Sequence, residues 1–114
     1  MVKRKSLKNK ADKLWKERIH ERDKRCQYCG KEGGQAHHVI GRRNHNVRWD
    51  MDNGIVLCAG CHTLRADSAH QDPLGFTKWF KENHPRRYQH LMETKNILWD
   101  KDYDKVLRRL NEKM

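Results

Sequence analysis

Long apolar runs are absent from this chain. No stretch approaches the ~20 consecutive apolar residues that a membrane-spanning helix needs. Only 35% of its 114 residues are hydrophobic and the mean hydropathy is −1.20, so the core it can bury is thin. Prolines number two and glycines seven, without a Gly/Ser linker or an internal repeat, which argues against a low-complexity chain or a solenoid. The basic N-terminus is not followed by an apolar segment of the kind a signal peptide carries, and an intracellular, cytoplasmic protein is the expectation. Acid is scarce too: 15 Asp and Glu stand against 26 Lys and Arg.

The formal net charge of +11 and a pI near 9.8 call for a polyanionic partner, with nucleic acid the first choice. Lys3, Arg4, Lys5, Lys8 and Lys10 occur without an intervening acid, so residues 1–10 are expected to form a disordered basic arm that tracks phosphates. From Ala11 to Arg22, Leu14, Trp15 and Ile19 recur at helical spacing. Short strands are expected at Gln35 to Ile40 and Ile55 to Leu57, with a loop from Arg42 to Met51 between them. A helix is expected to start around Ala59 and run to Asp67 or His70. After Asp72-Pro73 the apolar residues fall into helical stripes: Phe76, Trp79 and Phe80; Tyr88, Leu91 and Met92; Tyr103, Val106, Leu107 and Leu110. The predicted organisation is thus an arm (1–10), a central unit with its N-terminal helix (11–72), and a C-terminal helical extension of the same domain (73–114).

A thin core needs a staple, and the cysteines supply one. Cys26-x-x-Cys29 and Cys58-x-x-Cys61 are two matched pairs, each able to give half of a tetrahedral thiolate site. A closed structural Zn²⁺ site is the predicted outcome. Paired disulfides would need an oxidising compartment. Cys58-Ala59-Gly60-Cys61-His62 also fits the haem-attachment pattern C-x-x-C-H, which would require export.

Between the cysteine pairs lie the adjacent histidines His37 and His38, and His62 follows the last cysteine directly. One imidazole can hold a divalent ion while its neighbour deprotonates water, because imidazole titrates near neutral pH. Strand alternation sends adjacent side chains to opposite faces, so both reach one site only if the strand bends at its end.

The ordered set Cys26-x-x-Cys29, Ala36-His37-His38-Val39-Ile40, Asp52-Asn53-Gly54-Ile55-Val56-Leu57 and Cys58-x-x-Cys61-His62 resembles the HNH endonuclease family over roughly Lys24 to Ala66. The resemblance implies a small α+β fold: a ββα-metal finger stapled by the four-cysteine zinc, flanked by an N-terminal helix and C-terminal helices. By the same resemblance His37 and His62 are ligands of a catalytic ion, His38 is the general base, and Asn53 braces the loop and orients that base. Some relatives add a ligand histidine four residues after the second ligand; this chain has Ala66 there. Water, or a nearby acid such as Asp50 or Asp67, is the expected substitute.

Neutral imidazoles leave the charge of the ion undiminished and are poor partners for Mg²⁺, so Mn²⁺, or Ni²⁺ or Co²⁺, is the expected cofactor. The implied reaction is hydrolysis of DNA to 5′-phosphate and 3′-hydroxyl ends, by a monomer or weak dimer that nicks one strand. Arg42 and Arg43, with Arg65 and more weakly Lys24 and Arg25, are the candidate phosphate contacts. His20, His45, His70, His84 and His90 are read as surface or packing residues. The competing reading is a non-catalytic zinc module that binds nucleic acid, which would leave His37, His38, Asn53 and His62 without a task.

Overall fold

The computed structural model describes residues 4–112. Helix α1 spans Arg4–Arg22, strand β1 Gln35–His38, strand β2 Gly54–Leu57, and helices α2, α3 and α4 span Pro73–Asn83, Pro85–Thr94 and Tyr103–Glu112. This is a small α+β fold with a two-stranded antiparallel sheet and a four-cysteine cluster beside it. No helix among the described residues is long and apolar enough to cross a membrane.

The sheet is the centre because both of its faces are covered. All of β2 is buried, which matches its unbroken apolar sequence Ile55-Val56-Leu57 after Gly54. Side chains alternate across a strand, so Ile55 and Leu57 enter one core with Cys26, Cys58, Cys61, Phe76, Phe80 and Leu91. Val56 enters the other, with Ala11, Trp15, Ile19, Trp49, Tyr103 and Leu110. One layer therefore comes from α1 and α4, and the opposite layer from the cysteine unit with α2 and α3. Gly54 is where α1 comes closest. A Cβ there would lie 2.6 Å from the Trp15 ring and run into the Ile19 side chain, so its use is close approach. Its φ of −117° is ordinary extended backbone, and the Asn53-Gly54 pair is not a left-handed turn.

The helices follow their sequence signals at the ends. Asp72 caps α2 through a bond from the Gly75 N–H, and Pro73 and Pro85 occupy the first turns of α2 and α3. The three C-terminal stripes lie on α2, α3 and α4 as their spacing implies.

Three expectations are corrected. Arg4 to Lys10 belongs to α1 and not to a disordered arm, because Leu7 and Ala11 extend the apolar stripe that packs on α4; Met1 to Lys3 lie outside the described residues. Strand β1 ends at His38, where Val39 turns its N–H to the Asn53 carbonyl and the chain bends. The expected helix from Ala59 towards Asp67 or His70 is a single wide turn, Gly60–Leu64, closed by the Arg65 N–H on the Gly60 carbonyl.

The loop from Gly41 to Asp50 is tied down by one acid. Asp12 of α1 accepts both guanidinium N–H groups of Arg48, at 3.0 and 2.8 Å, and the Trp49 indole N–H at 2.8 Å. Burial by itself raises the Asp12 pKa, but the bonds from Arg48 and Trp49 and the charges of Arg48 and Arg42 outweigh it and hold the carboxyl below its ordinary value. Its stabilising contribution is therefore present above the unfolded carboxylate pKa of about 3.9 and is lost as pH falls through the lower folded value. Asp12→Ala, which leaves a buried Arg48 unpaired, is expected to cost roughly 3 kcal/mol at neutral pH. Urea unfolding at a pH series should show wild type and variant converging only in acid.

Candidate metal centres and the histidine groove

The cysteine unit is built on tight turns. Cys26 and Cys29 are joined by the Gly30 N–H bonding back to the Cys26 carbonyl, with Gly30 at φ 81°. Cys58 and Cys61 flank the start of the wide turn. One ligand atom of each of the four cysteines lies within 4.8 Å of the others, and Cys29 Sγ and Cys58 Sγ are 3.6 Å apart. That spacing is far longer than a disulfide bond. It matches the ~3.8 Å edge of a tetrahedron with Zn–S bonds near 2.3 Å. All four cysteines are free. The cluster is compatible with a structural zinc site, whose charge would resolve the crowding of ionisable thiols that pushes Cys61 upward through burial and its neighbours.

Across the sheet from α1, three histidines converge. His37, His62 and His70 each offer a ring nitrogen within 4.8 Å of the others. His62 Nε2 and His70 Nε2 are 3.0 Å apart. Two nitrogens bound to one ion at about 2.05 Å would stand ~3.4 Å apart, so little movement is needed to load the site. Burial pushes the His37 imidazole down to about 3, helped by His62 and His70, and keeps it neutral as ligation requires. Phe76 of α2 packs edge-on against the His37 ring at 5.3 Å and fixes its plane.

His70 is the residue that sequence reasoning missed. It lies eight residues beyond His62, a spacing that a regular helix would separate by about 12 Å along its axis. The wide turn makes it possible: after Leu64 the chain doubles back, with the Ala69 N–H on the Cys61 carbonyl and the His70 N–H on the His62 carbonyl. The acids named as substitutes are elsewhere. Asp50 meets His90 at 2.6 Å and caps the Asp52 N–H, while Asp67 pairs with Arg65 at 3.1 Å. Only the H-x₇-H spacing within a cysteine- and histidine-rich stretch could have pointed to His70.

His38 faces the other way. The register pairs His37 with Ile55 and His38 with Gly54, so the two rings leave β1 on opposite faces. His38 stacks on Trp15 of α1, with ring centroids 3.9 Å apart and planes within 9°. Its Nε2 lies 2.9 Å from the Arg48 carbonyl. A carbonyl only accepts, so Nε2 carries the proton and Nδ1 keeps its lone pair. Burial lowers the His38 pKa to about 4, and the charges of Arg42 and Arg48 act in the same sense. Both histidines nonetheless line one groove of about 540 Å³, together with His62, His70, Lys16, Arg42 and Arg43.

Asn53 has no exposed surface. Its side chain receives the Ile40 N–H at 2.7 Å and donates to the Ile40 carbonyl at 3.0 Å, and its own carbonyl receives the Val39 N–H. It clamps the bend that follows His38. Of the basic candidates, Arg42 and Arg43 line the groove; Arg42 also lies 3.7 Å from Asp12. Arg65 does not line it, and neither do the exposed Lys24 and Arg25.

Residues 26–68 match the family model described as HNH endonuclease. That is the stretch over which the cysteines, the paired histidines, Asn53 and His62 occur, while α1 and α2 to α4 lie outside it. The match covers under half of the chain and makes this segment similar to a family described as endonucleases. No curated protein and no solved structure matches the chain.

Two outcomes follow from the geometry. Cys58→Ser is expected to lose bound zinc and, with it, the folded state, as metal analysis and circular dichroism would register. His70→Ala should keep the fold and the zinc but weaken Mn²⁺ binding at least ~10-fold in an electron paramagnetic resonance titration. Unchanged Mn²⁺ affinity would remove His70 from the site.

Proposed function

We propose that the protein is a metal-dependent endonuclease that hydrolyses DNA phosphodiester bonds in the groove between α1 and the histidine cluster. The observation that carries this reading is the convergence of His37, His62 and His70 beside His38, whose hydrogen bond leaves one ring nitrogen free. The donor set fits a catalytic ion: three imidazoles, the most buried of them kept neutral. Imidazole suits Mn²⁺, Ni²⁺ or Co²⁺ better than Mg²⁺. A divalent ion held there supplies Lewis-acid stabilisation of charge on the phosphate and on the leaving 3′ oxygen.

His38 acts as the general base. Its Nδ1 lone pair takes a proton from water, and the hydroxide attacks phosphorus in line with the 3′ oxygen, leaving 5′-phosphate and 3′-hydroxyl ends. The Arg48 carbonyl holds the ring in the required tautomer. The face of Trp15 stabilises the imidazolium once it forms. Asn53 keeps the bend after His38 in shape. Arg42 and Arg43 contact the phosphates of the strand. The chain carries a single such groove among its described histidines, so a monomer nicks one strand and a double-strand break takes two encounters.

Supercoiled plasmid incubated with the protein should give open-circle product in Mn²⁺, less in Mg²⁺, and none in excess chelator. His38→Ala should slow the reaction by ~10²–10⁴-fold. Salt-sensitive DNA binding without cleavage in every metal tried would instead favour a non-catalytic zinc module.

A further inference from the structure

We propose that the groove-side face of α1 is a phosphate-binding wall, with Lys5, Lys8 and Lys16 following the backbone of the DNA strand led to the histidines. The inference rests on the nucleic-acid reading above and adds to it an element outside residues 26–68. Lys16 is the anchor, since it lines the same groove as His37, His38, Arg42 and Arg43.

Helix geometry extends the wall from there. At about 100° per residue, Lys5, Lys8, Asp12 and Lys16 fall within an arc of roughly 80°, whereas Glu17 and Glu21 fall outside it. Asp12 is the one acid in that arc, and Arg48 and Arg42 already neutralise it. The face is therefore basic throughout.

Several arginines of the surface are already committed to acids. Arg25 is paired with Glu32, Arg65 with Asp67 and Arg86 with Asp52. Among the described residues, Lys5, Lys8 and Lys16 are in no ion pair. Lys5 and Lys16 are exposed and Lys8 is half-buried.

Position is fixed as well as charge. The Trp15 ring lies on His38, its indole N–H bonds to the Asp50 carbonyl, and Gly54 admits the helix against the sheet. Lys16, the next residue, is thereby held at a set distance from the base. From Lys5 to Lys16 the helix rises about 16 Å, close to the axial rise of about five base pairs. A strand lying along this face would have several consecutive phosphates within reach of lysine ammonium groups, and none would meet an unpaired carboxylate.

The test is the salt dependence of binding to a short labelled DNA duplex, in excess chelator so that nothing is cut. The variant Lys5→Gln/Lys8→Gln/Lys16→Gln should lower the slope of log K against log salt by about two to three, since each lost phosphate contact removes roughly 0.9. Lys16→Gln alone, an exposed change, should lower it by about one. A control with the same loss of charge on other surfaces, Lys10→Gln/Lys24→Gln/Lys31→Gln, should keep the wild-type slope. The proposal is overturned if the α1 variants keep that slope, or if the control loses as much. Wild-type protein that bound no DNA at any salt would overturn the nucleic-acid reading beneath it.

Discussion

Four pairs of residues set the geometry of this protein. The antiparallel register of β1 on β2, with His37 opposite Ile55 and His38 opposite Gly54, sends two adjacent histidines to opposite sides of one sheet. A two-stranded sheet is marginal on its own in water. Here it persists because each face is packed, by α1 and α4 on one side and by the cysteine unit with α2 and α3 on the other. Each histidine then takes its environment from the layer it faces. His37 meets imidazoles and Phe76; His38 meets Trp15 and a backbone carbonyl. The different surroundings suit one to metal and the other to protons, although the residues are identical and adjacent.

The cysteine cluster and the histidine cluster are mechanically one unit. Cys61 and His62 are neighbours, and the residues that follow fold back onto both through the Ala69 and His70 N–H groups. A cysteine cluster that loosened would release the carbonyls that position His70. Zinc held by the four cysteines would have a structural task and, through this short path, would set the aim of two of the three imidazoles.

The N-terminal helix is a working part of the groove, although it lies outside the family segment. Trp15 stacks on His38, Asp12 ties the Arg48 loop whose carbonyl orients the His38 ring, and Lys16 borders the groove itself. Steric economy at Gly54 brings all three to the site, because any side chain there would push α1 away.

Much of this was legible in the chain. The paired cysteines stand at a spacing that thiolate chemistry dictates, the set His37, His38, Asn53 and His62 was legible through its resemblance to the HNH family, and the apolar stripes of the C-terminal helices repeat at 3.6 residues because one face of each is buried. Three things needed the tertiary structure. The basic segment up to Lys10 became helix because packing of Leu7 and Ala11 against α4 outweighs its charge. The helix after Cys61 shrank to one wide turn because its continuation, exposed from Leu64 to Asp67, has no apolar face to bury. His70 joined His37 and His62 because that turn folds the chain back on itself. Sequence alone fixes ligands joined by a short motif; a ligand delivered across a loop depends on hydrogen bonds that form only once the rest is folded.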